Sequence, residues 1–465
     1  MTVKVRKRKP DSKLRHIPAT VSNAIWVKKS DLSPLDLEQV LKASHIYGEE
    51  KYDGSGAHEL MAYIDRGRYL GLPRGFFQDF FNQTIDVTDQ QINWPKWQFP
   101  DGLSWRAGQE ESVKALLAYL KPKDYGQCRL EAGCGTGKTC MSLYVASQLK
   151  MRTLILVHKE ELALAFYKEA RRFLPGIKFG HCQQDSWVYK NCHIVSATFQ
   201  TLFSRDSKLP KNFLSRFGLV VVDEGQRSPA QTFEGVLRKF TAKYRLGVSA
   251  TWRRRDGLDK VFDAHLGPIV HRATSASLNA QYICPRLLFR PHIINPRHWA
   301  YVVNGIASNT EYRNWLAKEA VKCVLKGERT PLMLADRIEM LKDLRERINE
   351  LFRAEGYPNK KAMLFIGETN NADKRKAMKN AAVMLGSWGK WNEGNNLPRL
   401  DTLFIVTPRS DIEQAAGRIR RVVDGKKMPL IVDPFFTSCA NPMLRGSAYA
   451  RIRQYKALGF QEAKK

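Results

Sequence analysis

The stretch Gly218-Leu-Val-Val-Val-Asp-Glu-Gly-Gln-Arg-Ser-Pro229 decides how this chain is read. Four consecutive apolar residues, Leu219 to Val222, run directly into two carboxylates, Asp223 and Glu224. An unbroken apolar run of this length suits a strand buried on both faces of a parallel sheet. The carboxyl ends of such strands are where α/β folds place their chemistry. Comparable runs recur at 127–132 (QCRLEA), 152–158 (RTLILVH), 192–198 (CHIVSAT) and 244–250 (YRLGVSA), with segments of helical pattern between them. A second series follows at 331–336, 361–367, 381–387, 401–408 and 428–434. Strands alternating with helices predict βαβ units and doubly wound parallel sheets. The expected fold class is therefore α/β, with two tandem lobes over 98–280 and 281–465. A small N-terminal α+β accessory domain and linker over 1–97 precedes them, ending in the turn-rich NWPKWQFPDG.

Charge narrows the partners. Lys and Arg number 76 against 46 Asp and Glu in 465 residues, a formal net charge of +30. That excess favours polyanions, nucleic acid first and an acidic membrane surface second. No apolar run reaches the roughly 18 residues of a membrane span, so none is expected. The N-terminal MTVKVRKRKP is basic without the apolar core of a secretory signal, and is read as an arm for phosphate rather than a nuclear address. Eight cysteines without a C-x-x-C pair suit a reducing, cytoplasmic setting. His181-Cys182 and Cys192-His193 offer four metal-ligating side chains. Cys192 falls in a strand pattern where a buried thiol is ordinary, so no zinc site is read there.

The carboxylates gain meaning from an upstream loop. Ala132-Gly-Cys-Gly-Thr-Gly-Lys-Thr139 follows one apolar run and precedes a helix pattern with Met141, Val145 and Leu149 on one face. This is the order of a P-loop, with Ala132 in place of its first glycine. Gly133, Gly135, Thr136 and Gly137 would let backbone N–H groups curl round phosphate oxygens at a helix N-terminus. Lys138 would reach the β- and γ-phosphates, and the Thr139 hydroxyl would ligate Mg²⁺. Asp223 would hold the same ion and Glu224 would polarise the attacking water.

P-loops serve many enzymes, so the kind of motor must come from elsewhere. In Asp411-Ile-Glu-Gln-Ala-Ala-Gly-Arg-Ile-Arg-Arg421, Gln414, Arg418 and Arg421 fall at i, i+4 and i+7 of a helix. A glutamine and two guanidiniums on one face, far beyond the P-loop, suit an arginine-finger surface that completes an ATP site.

Taken in order, the motifs resemble those of superfamily 2 helicases and translocases over nearly all of 103–425. Trp105-Arg-Ala-Gly-Gln109 resembles the adenine-reading glutamine motif. Leu156–Leu162 and Val195–Thr201 resemble strand-contacting segments, which implies roles for Thr198 and Gln200. Ser249-Ala-Thr251 resembles the coupling motif, and Ser387–Gly394 and Gln414–Arg421 the last two motifs. Gln226 departs from the usual His or Asp of the superfamily, and is expected to hydrogen-bond toward the Ser-Ala-Thr loop. Ser249-Ala-Thr-Trp-Arg-Arg-Arg-Asp-Gly257 resembles the XPB-like group, with Trp252 where proline is usual. The Ser-x-Gly-x-x-x-x-Gly spacing ending at Gly394 resembles the UvsW-like phage helicases, as does the Pro-Arg-Gly element at 73–75, and this resemblance implies that residues 1–97 hold an N-terminal DNA-recognition domain.

The resemblance implies two RecA-like lobes that close on ATP and Mg²⁺, with Lys138, Thr139, Asp223 and Glu224 on one side and Gln414, Arg418 and Arg421 on the other. It implies coupling or DNA contact through Gln226, Ser249, Thr251, Arg254, Thr198, Trp391, Asn392 and Gly394. Trp391 fits a core position equally well. The expected function is an ATP-dependent DNA helicase acting as a monomer on forks, junctions or displacement loops in replication, recombination or repair. Its setting would be the cytoplasm, of a host cell if phage-encoded. An RNA helicase, or a DNA-binding scaffold with a degenerate ATPase, are the alternatives.

Overall fold

The structure is a computed structural model that describes Leu14 and residues 16–48, 58–133, 135–184, 186–205, 209–254, 256–273, 279–367, 369, 373, 377, 379–391, 397, 399–409, 412–420, 425–436 and 441–463. Arg255, Asn392, Gly394 and Arg421, and the basic segment 1–10, lie outside the described residues. The chain divides into two compact units, Met1–Ser275 and Ala276–Lys465, so the accessory region and the first expected lobe share one unit.

The first unit opens with β1 (Pro18–Val21), β2 (Ile25–Lys28), β3 (Ile64–Arg66), β4 (Tyr69–Leu72) and β5 (Asn82–Ile85), which form a sheet in the order β3-β4-β2-β1-β5. Its second sheet contains β6 (Gly126–Ala132), β7 (Thr153–Val157), β8 (Phe179–Gln183), β9 (Ile194–Thr198), β10 (Leu219–Asp223), β11 (Tyr244–Ser249) and β12 (Ile269–Ala273). The order is β8-β9-β7-β10-β11-β6-β12, all parallel, with the short strand Ser186–Trp187 antiparallel beyond β8. The five apolar runs read from the sequence occupy its centre. In β10, Val220 and Val222 join one hydrophobic cluster while Leu219 and Val221 join another. Helices cover both faces, so every position of the run is buried and alternation disappears.

Ala276–Lys465 repeats the plan. Strands β13 (Ala280–Ile283), β14 (Pro331–Ala335), β15 (Ala362–Phe365), β16 (Val383–Ser387), β17 (Thr402–Ile405), β18 (Leu430–Val432) and β19 (Phe460–Glu462) run in the order β15-β16-β14-β17-β18-β13-β19. Every neighbouring pair is parallel. Trp388 and Trp391, on the turn of helix after β16, are fully buried. Trp391 packs edge-on against Phe365 with centroids 5.5 Å apart, so it serves the core and does not stack on a strand.

The accessory sheet is fastened to the larger sheet by the Pro-Arg-Gly element. Arg74 is 1% exposed and donates to the carbonyls of Ser22 (3.2 Å), Ala242 (2.8 Å) and Lys243 (3.0 Å). Its guanidinium lies 4.9 Å from the Tyr125 ring centroid. Burial drops its pKa to about 10, which still leaves it charged at neutral pH. A Cβ at Gly75 would collide with the Asp263 carbonyl, so only glycine permits this approach.

Candidate functional site

The phosphate loop joins β6 to the helix Lys138–Leu149, whose Met141, Val145 and Leu149 are buried as their spacing requires. Gly135 and Gly137 take φ of +84° and +87°, a region open to glycine and costly for L side chains. Gly137 is doubly constrained, because a Cβ there would also collide with Gln109 Nε2. That nitrogen donates to the Thr136 carbonyl at 2.6 Å, while Gln109 Oε1 accepts from the Arg106 N–H at 3.0 Å. Gln109 thus ties the turn that begins at Trp105 to the phosphate loop. The Thr136 hydroxyl donates to the Gly133 carbonyl at 2.8 Å. Thr139 begins the helix beside Lys138.

Lys138 Nζ donates to the Ala132 carbonyl at 3.1 Å and pairs with Glu224 Oε1 at 3.1 Å. Both side chains are about nine-tenths buried. Glu224 sits just beyond β10 with φ +51°, a left-handed conformation unusual for glutamate and typical of constrained functional turns. Burial alone would raise the Glu224 pKa, but Lys138, Gln226 and Arg227 outweigh it and hold the group below its ordinary value. Asp223 behaves oppositely. Burial, and then the neighbouring Glu224 charge, push it up to about 7 against the pull of Lys138. Its Oδ1 is buried without a hydrogen-bond partner among the described residues. A carboxylate so desolvated, with an oxygen unused among the described residues, has the chemistry of a cation ligand.

Gln226 bridges two motifs. Its Nε2 donates to Glu224 Oε2, and its Oε1 accepts from Ser249 Oγ at 2.9 Å. The same serine hydroxyl is also 2.7 Å from the Thr251 carbonyl and accepts from the Thr251 N–H. Thr251 Oγ1 in turn accepts from the Arg253 N–H at 3.3 Å. The amide that stands where His or Asp is usual therefore links Glu224 to the Ser-Ala-Thr turn at the end of β11.

Trp252 also has a physical explanation. It is buried against Gly247, whose missing Cβ makes the space, and its indole donates to the Leu130 carbonyl at 3.3 Å. The Arg129 guanidinium lies 5.3 Å from its ring centroid. Arg254 pairs with both oxygens of Asp256 (2.9 and 2.6 Å) and donates to the Ser228 carbonyl at 2.8 Å. With a side chain 4% exposed, it braces the loop after Thr251 rather than facing solvent. Asp256 and Arg227 were not singled out from the sequence. The Arg-x-Asp spacing signals the first, and position one residue past Gln226 the second. Thr198 caps the helix Phe199–Ser204, accepting from the Thr201 N–H at 3.1 Å.

In the second unit, Gln414 and Arg418 lie on the helix Glu413–Ile419, as their spacing predicts. Arg418 is 7% exposed, with its guanidinium 5.7 Å from the Trp391 ring centroid.

Residues 102–254 match the type III restriction enzyme res subunit family. The mimivirus protein named "Putative ATP-dependent RNA helicase" (Acanthamoeba polyphaga mimivirus) is 26% identical over 386 residues, 80% of this chain and 72% of its own. The DNA 3'-5' translocase XPB2 of Sulfurisphaera tokodaii is 30% identical over 210 residues, 44% of each chain. Among solved structures, the ATP-dependent type ISP restriction-modification enzyme LlaBIII bound to DNA has a TM-score of 0.55 at 16% identity. That match covers 77% of this chain and 30% of the other, and bears on the fold alone. With the phosphate loop, the acid pair and the Ser-Ala-Thr turn assembled on the parallel sheet of the first unit, the chain is similar to the ATP-dependent helicases and translocases of superfamily 2.

Proposed function

We propose that the chain is an ATP-driven DNA motor that remodels branched DNA, such as forks, junctions and displacement loops, in recombination or repair. The Gln226 bridge between Glu224 and Ser249 carries this reading. It gives a direct route by which the group facing the triphosphate can report to the loop after β11. Gln109 would bind the adenine edge, while Lys138 would leave Glu224 for the β- and γ-phosphates. Glu224, held ionised, would then orient the attacking water.

The donors fit Mg²⁺, because Asp223 offers a buried carboxylate oxygen with no hydrogen-bond partner among the described residues and Thr139 supplies a hydroxyl. When bound, the ion would neutralise charge on the phosphate oxygens. Arg418 and Arg421 are proposed to complete the transition-state charge, a contribution of about 10³–10⁵ in rate for arginine fingers.

The net charge of +30 supports a nucleic-acid track, and the relative named a DNA translocase supports DNA. The relative named an RNA helicase favours a second reading, the same motor on RNA. ATP hydrolysis measured with branched DNA, linear duplex, single strands and structured RNA separates them. Strongest stimulation by branched DNA is expected, and stimulation by RNA alone would overturn the DNA assignment. Affinity should also fall steeply with salt, as phosphate contacts demand.

A further inference from the structure

We propose that the outer face of the accessory sheet is a platform for an unpaired nucleic-acid strand, with Tyr69 stacking on a base and Lys28 and Arg66 holding phosphates. The proposal deepens the motor reading and rests on it.

Alternation along the strands sends Ala19, Val21, Ile25, Val27, Leu70 and Leu72 into the accessory core. Trp26, Lys28, Tyr69 and Arg66 are left on the opposite face. Pairing places Lys28 of β2 across from Tyr69 of β4, and Tyr69 across from Arg66 of β3. The three form one row over adjacent strands, basic, aromatic, basic, and all are exposed, Tyr69 by 44%.

Beside this row Trp26 opposes Gly71. A Cβ at Gly71 would sit 3.0 Å from the indole carbons, so the glycine lets the ring lie flat on the sheet. The indole N–H donates to Asn23 Oδ1 at 3.1 Å, and the Arg66 guanidinium lies over the ring, 4.8 Å from its centroid. Arg66 is thereby held in place with its N–H donors unspent. Among the described residues neither Arg66 nor Lys28 has a hydrogen-bonding or acidic partner. The acid on β3, Asp65, alternates to the other face and is paired with Lys29 at 2.7 Å.

A row of unpaired cations with no acid among them complements a phosphodiester backbone. An exposed tyrosine between those cations adds a requirement that selects the form of the strand. A stacked duplex hides its base faces, whereas an unpaired strand offers one at every nucleotide. The platform is also fixed to the motor sheet. Asn23, which anchors Trp26, donates to the Arg238 carbonyl at 2.8 Å, and its own carbonyl accepts from Arg245 at 3.0 Å. Arg245 lies on β11, the strand that ends at Ser249. A strand held on the platform would keep a constant position relative to the coupling serine.

The test uses the full chain and its Tyr69→Ala and Arg66→Gln/Lys28→Gln variants. Fluorescence anisotropy reads binding of a labelled oligothymidylate and of a blunt duplex of equal length. Single-strand affinity is expected to fall about tenfold for Tyr69→Ala, the scale of one lost stacking contact, with duplex affinity changed less than about threefold. The paired basic variant should lose single-strand affinity and flatten its salt dependence. Unchanged melting midpoints show that both variants fold. Single-strand affinity within about twofold of the parent, or equal losses on both forms, would overturn the platform while leaving the motor reading intact. Absence of nucleic-acid-stimulated hydrolysis in the parent would overturn both.

Discussion

Lys138 and Glu224 meet as a buried ion pair, 3.1 Å apart, at the point where the triphosphate is proposed to bind. In this structure Glu224 is the anion that Lys138 neutralises, and nucleotide entry would bring the phosphates into competition for that charge. Lys138→Ala removes one partner and strands the other carboxylate. Loss of one member of a buried pair costs on the order of 3 kcal/mol, and a clear fall in the nucleotide-free melting midpoint is expected. Hydrolysis should fall at least about a hundredfold, the scale set by a lost electrostatic contact to the reacting group. Glu224→Gln leaves a neutral hydrogen-bonding side chain and should retain triphosphate binding while losing turnover. Fluorescent-nucleotide titration beside a phosphate-release assay distinguishes the two variants. DNA-stimulated hydrolysis surviving in Glu224→Gln would refute its assignment.

Asp223 provides a pH prediction. Its pKa, raised to about 7 by burial and by Glu224, means that the metal-free folded chain keeps a proton which the unfolded chain releases near the ordinary carboxyl value of 3.8. The folded state therefore binds more protons between those values. This group's contribution to stability is present at low pH and is lost as pH rises toward 7. Asp223→Asn removes that penalty, so the variant should melt higher than the parent at pH 8 in a chelator while losing hydrolysis. Divalent-cation affinity in the parent should weaken as pH falls below about 7, by up to about tenfold per unit. Calorimetric titration with Mg²⁺ at two pH values checks this, and pH-independent affinity would argue against Asp223 as a ligand.

The central strands and the phosphate loop were legible because each is dictated locally. Leu219–Val222 is apolar throughout since both faces meet a core, and the left-handed turns at Gly135 and Gly137 demand glycine. The flanking strands were not legible. In β8 burial alternates, and β12 at the sheet edge is only half-buried, so neither produces a solid apolar run. Net charge misleads in a different way. Arg74, Arg129, Arg245 and Arg451 all count toward +30, yet each is at most 5% exposed and is used on carbonyls or carboxylates inside the protein. Composition cannot separate a guanidinium that meets nucleic acid from one that staples two sheets. Arg254 shows the same ambiguity at a single position, where a basic run beside a coupling motif conceals a bidentate brace to Asp256.

Gln226 is predicted to act on coupling more than on chemistry. Its amide spans Glu224 and Ser249, and Gln226→Ala cuts both links without touching the phosphate loop. Each lost hydrogen bond is worth about 1 kcal/mol, so folding should persist. Hydrolysis without nucleic acid should change by less than about tenfold, whereas stimulation by DNA and strand displacement should be largely lost. Parallel ATPase and displacement assays give the ratio of ATP spent per strand released. A variant with the parental ratio would show that the bridge carries no signal.

The docking of the accessory sheet through Arg74 and Gly75 makes a final prediction that tests a purely structural claim. Arg74→Ala leaves the carbonyls of Ser22, Ala242 and Lys243 without their shared donor in a dry interface. Unsatisfied buried carbonyls cost about 1–3 kcal/mol each, partly recovered where water can enter the space the side chain vacates. Gly75→Ala attacks the same contact without changing charge, since its methyl group meets the Asp263 carbonyl. Both variants should release the accessory region, seen as new protease cleavage in residues 86–97, between the last accessory strand and the first lobe, and a lowered melting midpoint. Triphosphate binding at Lys138, which is built from other elements, should survive in both. If Gly75→Ala resisted protease like the parent, the backbone contact at Asp263 would not be what holds the two sheets together.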